Sequence, residues 1–303
     1  MISLMSTSWQ PVHQLWTLDK LIHEQSIMLG LSIDESTLAN YSSTLNSYIT
    51  FFHLHNFPIN PTPDTLSFYT TYMSHHIKPS SVSTYLSGIA NQLEVYHPNV
   101  HHVHKSPLVV QTLEGCKHLK GSPTIHKMPL SIPTLSHILS SLDHSQTHDD
   151  YLFCAMICTG FYGLLHLGEL SYPDNSGLCN PEKLSQGSSV TFPTSGTYAF
   201  MLPCHKTDPF FEGSHIHICC LIHNAPDPVP HFISYLASCE CLFPFNHEHW
   251  LQQNGSVPTR SFFIKQLCLY CDKFIAGQSM RAGGATALAE AGISPDIIQA
   301  IGH

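Results

Sequence analysis

Arginine is almost missing from this sequence of 303 residues, with Arg260 and Arg281 its only two instances. Charged residues of all four kinds make up 11% of the chain, against about a quarter in ordinary globular proteins. Net charge is −9 with histidines neutral, which excludes the globally basic footprint of many phosphate-gripping proteins. Long apolar runs are also lacking. The most apolar stretch, Tyr151 to Leu165, is shorter than the roughly 20 residues a bilayer span needs. Met1 to Leu21 has neither a basic start nor an apolar block, so no secretory signal is expected and the chain reads as intracellular. Eleven cysteines, odd in number and irregularly spaced, argue against a disulfide framework and read mostly as small buried hydrophobes.

What is present is a hydrophobic share of 43%, enough to build real cores, and 24 histidines. The first part reads as helices separated by proline turns. Leu38, Tyr41, Leu45, Tyr48, Ile49 and Phe52 recur at helical spacing. Thr62-Pro63-Asp64, Pro79-Ser80-Ser81 and Pro107 each open a further helix, the last ending near Gly121. These four make a helical bundle over residues 1–122. A polar, punctuated stretch at 123–131 reads as a linker before a second domain, 132–303. There, helices are expected over 132–142, 151–165, 229–239, 259–275, 280–291 and 295–301. Strand-like composition occupies 188–193, 197–204 and 215–222 around Gly196 and Gly213. The expected fold is mainly α with a small β-sheet.

Four strings carry the chemistry. Thr159-Gly160-Phe161-Tyr162-Gly163-Leu164-Leu165-His166-Leu167-Gly168-Glu169-Leu170 is followed by Leu202-Pro203-Cys204-His205-Lys206-Thr207-Asp208 at a strand end. Then come Gln278-Ser279-Met280-Arg281-Ala282-Gly283-Gly284-Ala285-Thr286 and Ile298-Gln299-Ala300-Ile301-Gly302-His303. Together and in this order they resemble the tyrosine recombinase, or phage-type integrase, family, particularly versions carried by fungal mobile elements. The resemblance runs from about Leu38 to the end. It implies a SAM-like helical core-binding domain followed by a mixed α/β integrase-type catalytic domain. In such proteins arginines, a lysine and histidines surround one scissile phosphate, which a tyrosine attacks to leave a 3′-phosphotyrosine. Fixed positive donors are needed where charge builds on the phosphoryl oxygens, and arginine's planar fork suits them.

By this resemblance His166 occupies the place of the first arginine, where a neutral imidazole offers one donor instead of a charged fork. Lys206 stands where a hairpin lysine protonates the leaving hydroxyl. Gln278 replaces a histidine, Arg281 matches the second arginine, and His303 matches the histidine that helps hold the phosphate. The nucleophile belongs on a helix after His303, and no tyrosine follows Tyr270. The expectation is a copy that ends before its nucleophile and is impaired in cutting. Each residue also has an ordinary structural reading. His166 could be a satisfied helix histidine and Lys206 a solvated hairpin lysine. Arg281 could cap a helix or pair with Glu290 or Asp296, and Glu169 reads as structural.

The resemblance gives the N-terminal domain a DNA-embracing role, with Lys78, Lys105, Lys117, Lys120 and Lys127 as candidate phosphate contacts. The implied partners are double-stranded DNA and, upon it, further copies of the chain, in the nucleus, with no membrane and no small-molecule cofactor. No metal is implied. His215, His217 and Cys219 alternate along one strand, and Cys268/Cys271 have zinc-knuckle spacing but lie in a helical pattern. Two other readings stand beside strand exchange: a non-enzymatic DNA- or partner-binding domain derived from a mobile element, and a zinc-dependent module.

The arginine deficit has a mutational explanation, because CpG decay turns CGN codons into His, Cys, Gln or Trp codons. The coding DNA is accordingly expected to be depleted in CpG relative to its C and G content. A normal CpG frequency on sequencing rules this origin out.

Overall fold

The computed structural model describes residues 14–33, 35–123, 126–142, 147–204 and 212–302. Contacts divide the chain into two units, Met1–Thr124 and Ile125–His303.

The first unit is helical throughout its described residues, with α1 (Leu18–Leu31), α2 (Glu35–His55), α3 (Pro63–Met73), α4 (Pro79–Leu93), α5 (Val100–His104) and α6 (Pro107–Lys120). Proline stands in the first turn of α3, α4 and α6. There its missing N–H is lost from an unpaired position anyway and its fixed φ suits the helix. Thr62 closes the start of α3, its hydroxyl accepting from the Thr65 N–H at 3.2 Å. Of the periodic residues of α2, Tyr48 and Phe52 enter the core and Leu45 packs against it, whereas Leu38 is exposed. Tyr48 and Phe52 of α2, Leu66 and Tyr69 of α3, Val82, Leu86 and Ile89 of α4 and Val109 of α6 form one core, each nearly solvent-free.

The second unit continues with α7 (Ile132–Leu142), α8 (His148–Tyr162) and the one-turn α9 (Leu167–Leu170). A three-stranded antiparallel sheet follows, in the order β1 (Thr191–Thr194), β2 (Thr197–Leu202), β3 (Ser214–Cys219). Helices α10 (Pro228–Leu242), α11 (Arg260–Tyr270), α12 (Ser279–Glu290) and α13 (Pro295–Ile301) complete it. The fold is therefore mainly α with a small sheet, as the sequence predicts. Helix α8 is buried on every side from Leu152 to Tyr162, as an all-round apolar helix must be, and α10 and α12 both pack on it. In the sheet, Tyr198 pairs with Ile218 and Phe200 with Ile216. All four point into the core, so the alternate residues His215 and His217 face outward.

Boundaries differ locally. Helix α11 stops at Tyr270, short of the predicted Ile275, because Cys271 turns extended (φ −126°, ψ 149°). The predicted strand at 188–193 begins as a 3₁₀ turn over Gly187–Ser189. In the 123–131 stretch, the Met128 and Leu130 N–H groups donate to the Phe274 and Ser279 carbonyls at 2.9 and 2.8 Å, and Leu130 is buried. No helix among the described residues is long and apolar enough to cross a membrane.

One buried group is poorly accommodated. His249 is enclosed by Phe200, Phe232, Tyr235 and Trp250. Its backbone is bonded, the N–H to the Ser185 carbonyl and the carbonyl to the Tyr235 hydroxyl. Both ring nitrogens lack a partner among the described residues. Burial pushes its pKa down from 6.5 to about 3. His148, also buried, shows the satisfied alternative: Nε2–H donates to the Leu251 carbonyl and Nδ1 accepts from the Ser238 hydroxyl.

The folded state thus keeps His249 neutral while the unfolded chain takes up a proton below about pH 6.5. Stability is therefore unaffected by this group above that pH and falls below it, by up to about 1.4 kcal/mol per pH unit until about pH 3. Urea melts between pH 7.5 and 5 are expected to show this loss, and His249→Phe to flatten the profile by about that slope.

Candidate nucleic-acid interface

The first string builds a turn. Helix α8 ends as the Gly163 N–H donates to the Thr159 carbonyl, and the Leu165 N–H reaches back to the Gly160 carbonyl at 3.1 Å. Leu164, between them, is left-handed (φ 50°). This is a Schellman-type ending with leucine where glycine is usual, at a cost of roughly 1–2 kcal/mol. Burial of the Leu164 side chain offsets that strain. The turn aims the Leu164 carbonyl at α12, where Arg281 Nη1 donates to it at 2.8 Å.

His166 follows as the exposed cap of α9. Its backbone N–H donates to the Glu169 carboxylate at 2.7 Å. Glu169 is thus structural, as its residue type suggested, and it fixes the backbone from which the His166 imidazole projects.

Arg281 does more than the sequence disclosed. Besides Leu164, its Nη2 donates to the Gly302 carbonyl. One half-buried guanidinium therefore ties the turn two residues before His166 to the residue just before His303. It forms no ion pair with Glu290 or Asp296, which rules out the salt-bridge alternative. Two of its five donors are used by acceptors among the described residues.

Gln278 is exposed one helical turn before Arg281, at the N-cap of α12. Its neighbour Gly277 lies against Leu167, the residue after His166; a Cβ there would stand 2.6 Å from Leu167 Cδ2. His166, Gln278 and Arg281 are thus carried on adjoining segments. Lys206 and His303 lie outside the described residues.

Small residues make this convergence possible. A Cβ on Gly284 would collide with the Phe161 carbonyl of α8, and one on Gly283 with the Leu130 carbonyl. A Cβ at Gly160 would stand 2.8 Å from Met280 Sδ. The pair Gly283-Gly284 therefore lets α12 approach α8 and the Leu130 backbone closely, with Arg281 two residues before it.

The predicted lysines differ in situation. Lys78 and Lys105 are exposed. Lys117 is paired with Glu114 at 2.7 Å, and its hydrogen bond holds that carboxyl below the usual range. The Lys120 ammonium is buried without a partner among the described residues. Lys127 is exposed and donates to the Lys273 carbonyl. Among the described residues no three or more His, Cys, Asp or Glu side chains are grouped to share a metal ion.

No family model and no curated protein matches this chain. Solved structures do match. The Tn1549 transposon integrase in complex with circular-intermediate DNA aligns with a TM-score of 0.57 at 15% identity, over 93% of this chain and 90% of that one. A lambda integrase dimer bound to a COC′ core site gives 0.55 at 14% identity, over 94% and 90%. The XerH site-specific recombinase bound to its difH substrate gives 0.50 at 13%, over 81% and 65%. The fold is that of the integrases. The integrase-like likeness extends over both units at an identity too low to carry residue roles with it.

The helix packing has a direct test. Gly284→Ala, which forces α12 off α8, is expected to destabilise by at least the 1–3 kcal/mol typical of overpacking. Gly168→Ala in α9 meets nothing within 4 Å and should be neutral within about 0.5 kcal/mol. Thermal and urea melts of the two variants distinguish a close-approach glycine from an incidental one.

Proposed function

We propose that this chain is a tyrosine recombinase-type protein of mobile-element origin that binds duplex DNA in the nucleus, self-associates upon it, and is impaired in strand cleavage. The observation that carries the reading is the Arg281 guanidinium bridging the Leu164 and Gly302 carbonyls within a fold similar to DNA-bound integrases. It is a charged fork with donors to spare, carried on a segment adjoining those of His166 and Gln278. In this reading Arg281 holds one phosphodiester, while Lys206 and His303 complete its surroundings. Of the lysines the sequence marks, the exposed Lys78, Lys105 and Lys127 supply further backbone contacts, whereas Lys117 is engaged by Glu114 and the Lys120 ammonium is buried.

The impairment follows from donor chemistry. At His166 a single-donor imidazole stands in for a bidentate cation, and at Gln278 an amide that cannot exchange protons near neutral pH replaces a group that can. Both changes spare binding more than chemistry, because DNA affinity is spread over many phosphate contacts. A purely DNA-binding descendant is the second reading, favoured by these same two positions.

Restoring the fork is the test. His166 is exposed and its side chain is not needed for the α9 cap bond, so His166→Arg should leave the melting temperature unchanged. Affinity for a 30-base-pair duplex, read by fluorescence anisotropy, is expected to rise about tenfold, as one charge-assisted phosphate contact is worth about 1.5–3 kcal/mol. An unchanged affinity would sink the assignment of this position to a phosphate.

A further inference from the structure

In a chain of net charge −9, two exposed lysines of the second unit, Lys127 and Lys273, lie on segments joined by hydrogen bonds. The segment 127–130 runs along 273–279, with the Met128 N–H on the Phe274 carbonyl at 2.9 Å and the Leu130 N–H on the Ser279 carbonyl at 2.8 Å. These two bonds bring Lys127 to Lys273, whose backbone carbonyl accepts from the Lys127 ammonium. The Lys273 ammonium sits over the Phe274 ring, 5.6 Å from its centroid. Both residues are exposed, and among the described residues neither forms an ion pair. The nearest acid in sequence, Asp272, spends one carboxylate oxygen on the Phe274 N–H at 2.9 Å.

The strap carries two exposed cations, one anchored on the backbone of the other, against the single carboxylate of Asp272, and an external anion is attracted to this local excess of positive charge. The second of these bonds is to Ser279, the residue after Gln278, so both lysines lie on the strap that leads into the Arg281 helix. We infer that Lys127 and Lys273 form a phosphodiester-contact site flanking the Gln278–Arg281 segment, with Lys273 a DNA-contacting residue that the sequence motifs do not mark. The inference rests on the duplex-DNA reading above. It adds a local, backbone-reading grip on the second unit, independent of sequence in the DNA.

Lys273→Gln is the variant of choice, because the Lys273 side chain forms no hydrogen bond or ion pair among the described residues and gives up only its contact with the Phe274 ring. Duplex affinity of the full chain is measured by anisotropy from 50 to 200 mM KCl, beside Lys20→Gln as a control in α1 and Lys273→Arg as a charge-preserving rescue. Each phosphate contact contributes about 0.9 to the slope of log affinity against log salt. Lys273→Gln should lower the slope by about 0.9, and Lys127→Gln/Lys273→Gln by about 1.8, with affinity at 100 mM KCl reduced several-fold and about tenfold or more respectively. Lys273→Arg and Lys20→Gln should keep the parent slope. If the parent binds duplex but Lys273→Gln leaves slope and affinity unaltered, the inference is overturned while the duplex-DNA reading stands. If the parent fails to bind duplex even at 50 mM KCl, both fall.

Discussion

The candidate site depends on one side chain satisfying two distant backbone carbonyls. Arg281 reaches Leu164 at the end of α8 and Gly302 after α13, so a single cation organises segments far apart in sequence. Carbonyls turned inward at helix ends are short of donors, and a guanidinium supplies several in a fixed plane. Lysine could not bridge both with the same geometry. This gives a physical reason for arginine to persist here in a chain that has almost none. The same guanidinium keeps further donors uncommitted among the described residues.

That bridge in turn requires close approach and a strained turn. Helix α12 reaches α8 only because Gly284 and Gly283 carry no side chain where the Phe161 and Leu130 carbonyls stand. Leu164 accepts a left-handed conformation because its side chain is buried once there. Local cost and tertiary gain are coupled: neither the turn nor the glycine pair has a purpose without the other. Glu169, by holding the His166 N–H, finishes the same local frame.

The electrostatic character of the protein is likewise local. Its net charge is negative, yet backbone carbonyls fix individual cations in place, Arg281 on Leu164 and Lys127 on Lys273. His249 shows the opposite case, an imidazole in an aromatic enclosure where protonation would be costly.

Much of this was legible in the residues. The proline-opened helices, the apolar periodicity of α2 to α4 and the alternation of the sheet are local patterns, and local patterns decide which elements form. The motif order also brought out His166, Gln278 and Arg281, which the fold does bring onto adjoining segments. The acceptors of Arg281 were not legible, since backbone carbonyls are the same for every residue and only the path of the chain brings two of them to one guanidinium. Nor could composition separate Lys117, paired with Glu114, from Lys127, held beside Lys273. The sequence by itself determined which elements form and which side chains are available for chemistry, because those follow from spacing and residue type. Tertiary structure alone decided what each charged group faces, because that depends on helices brought within a glycine's width of one another.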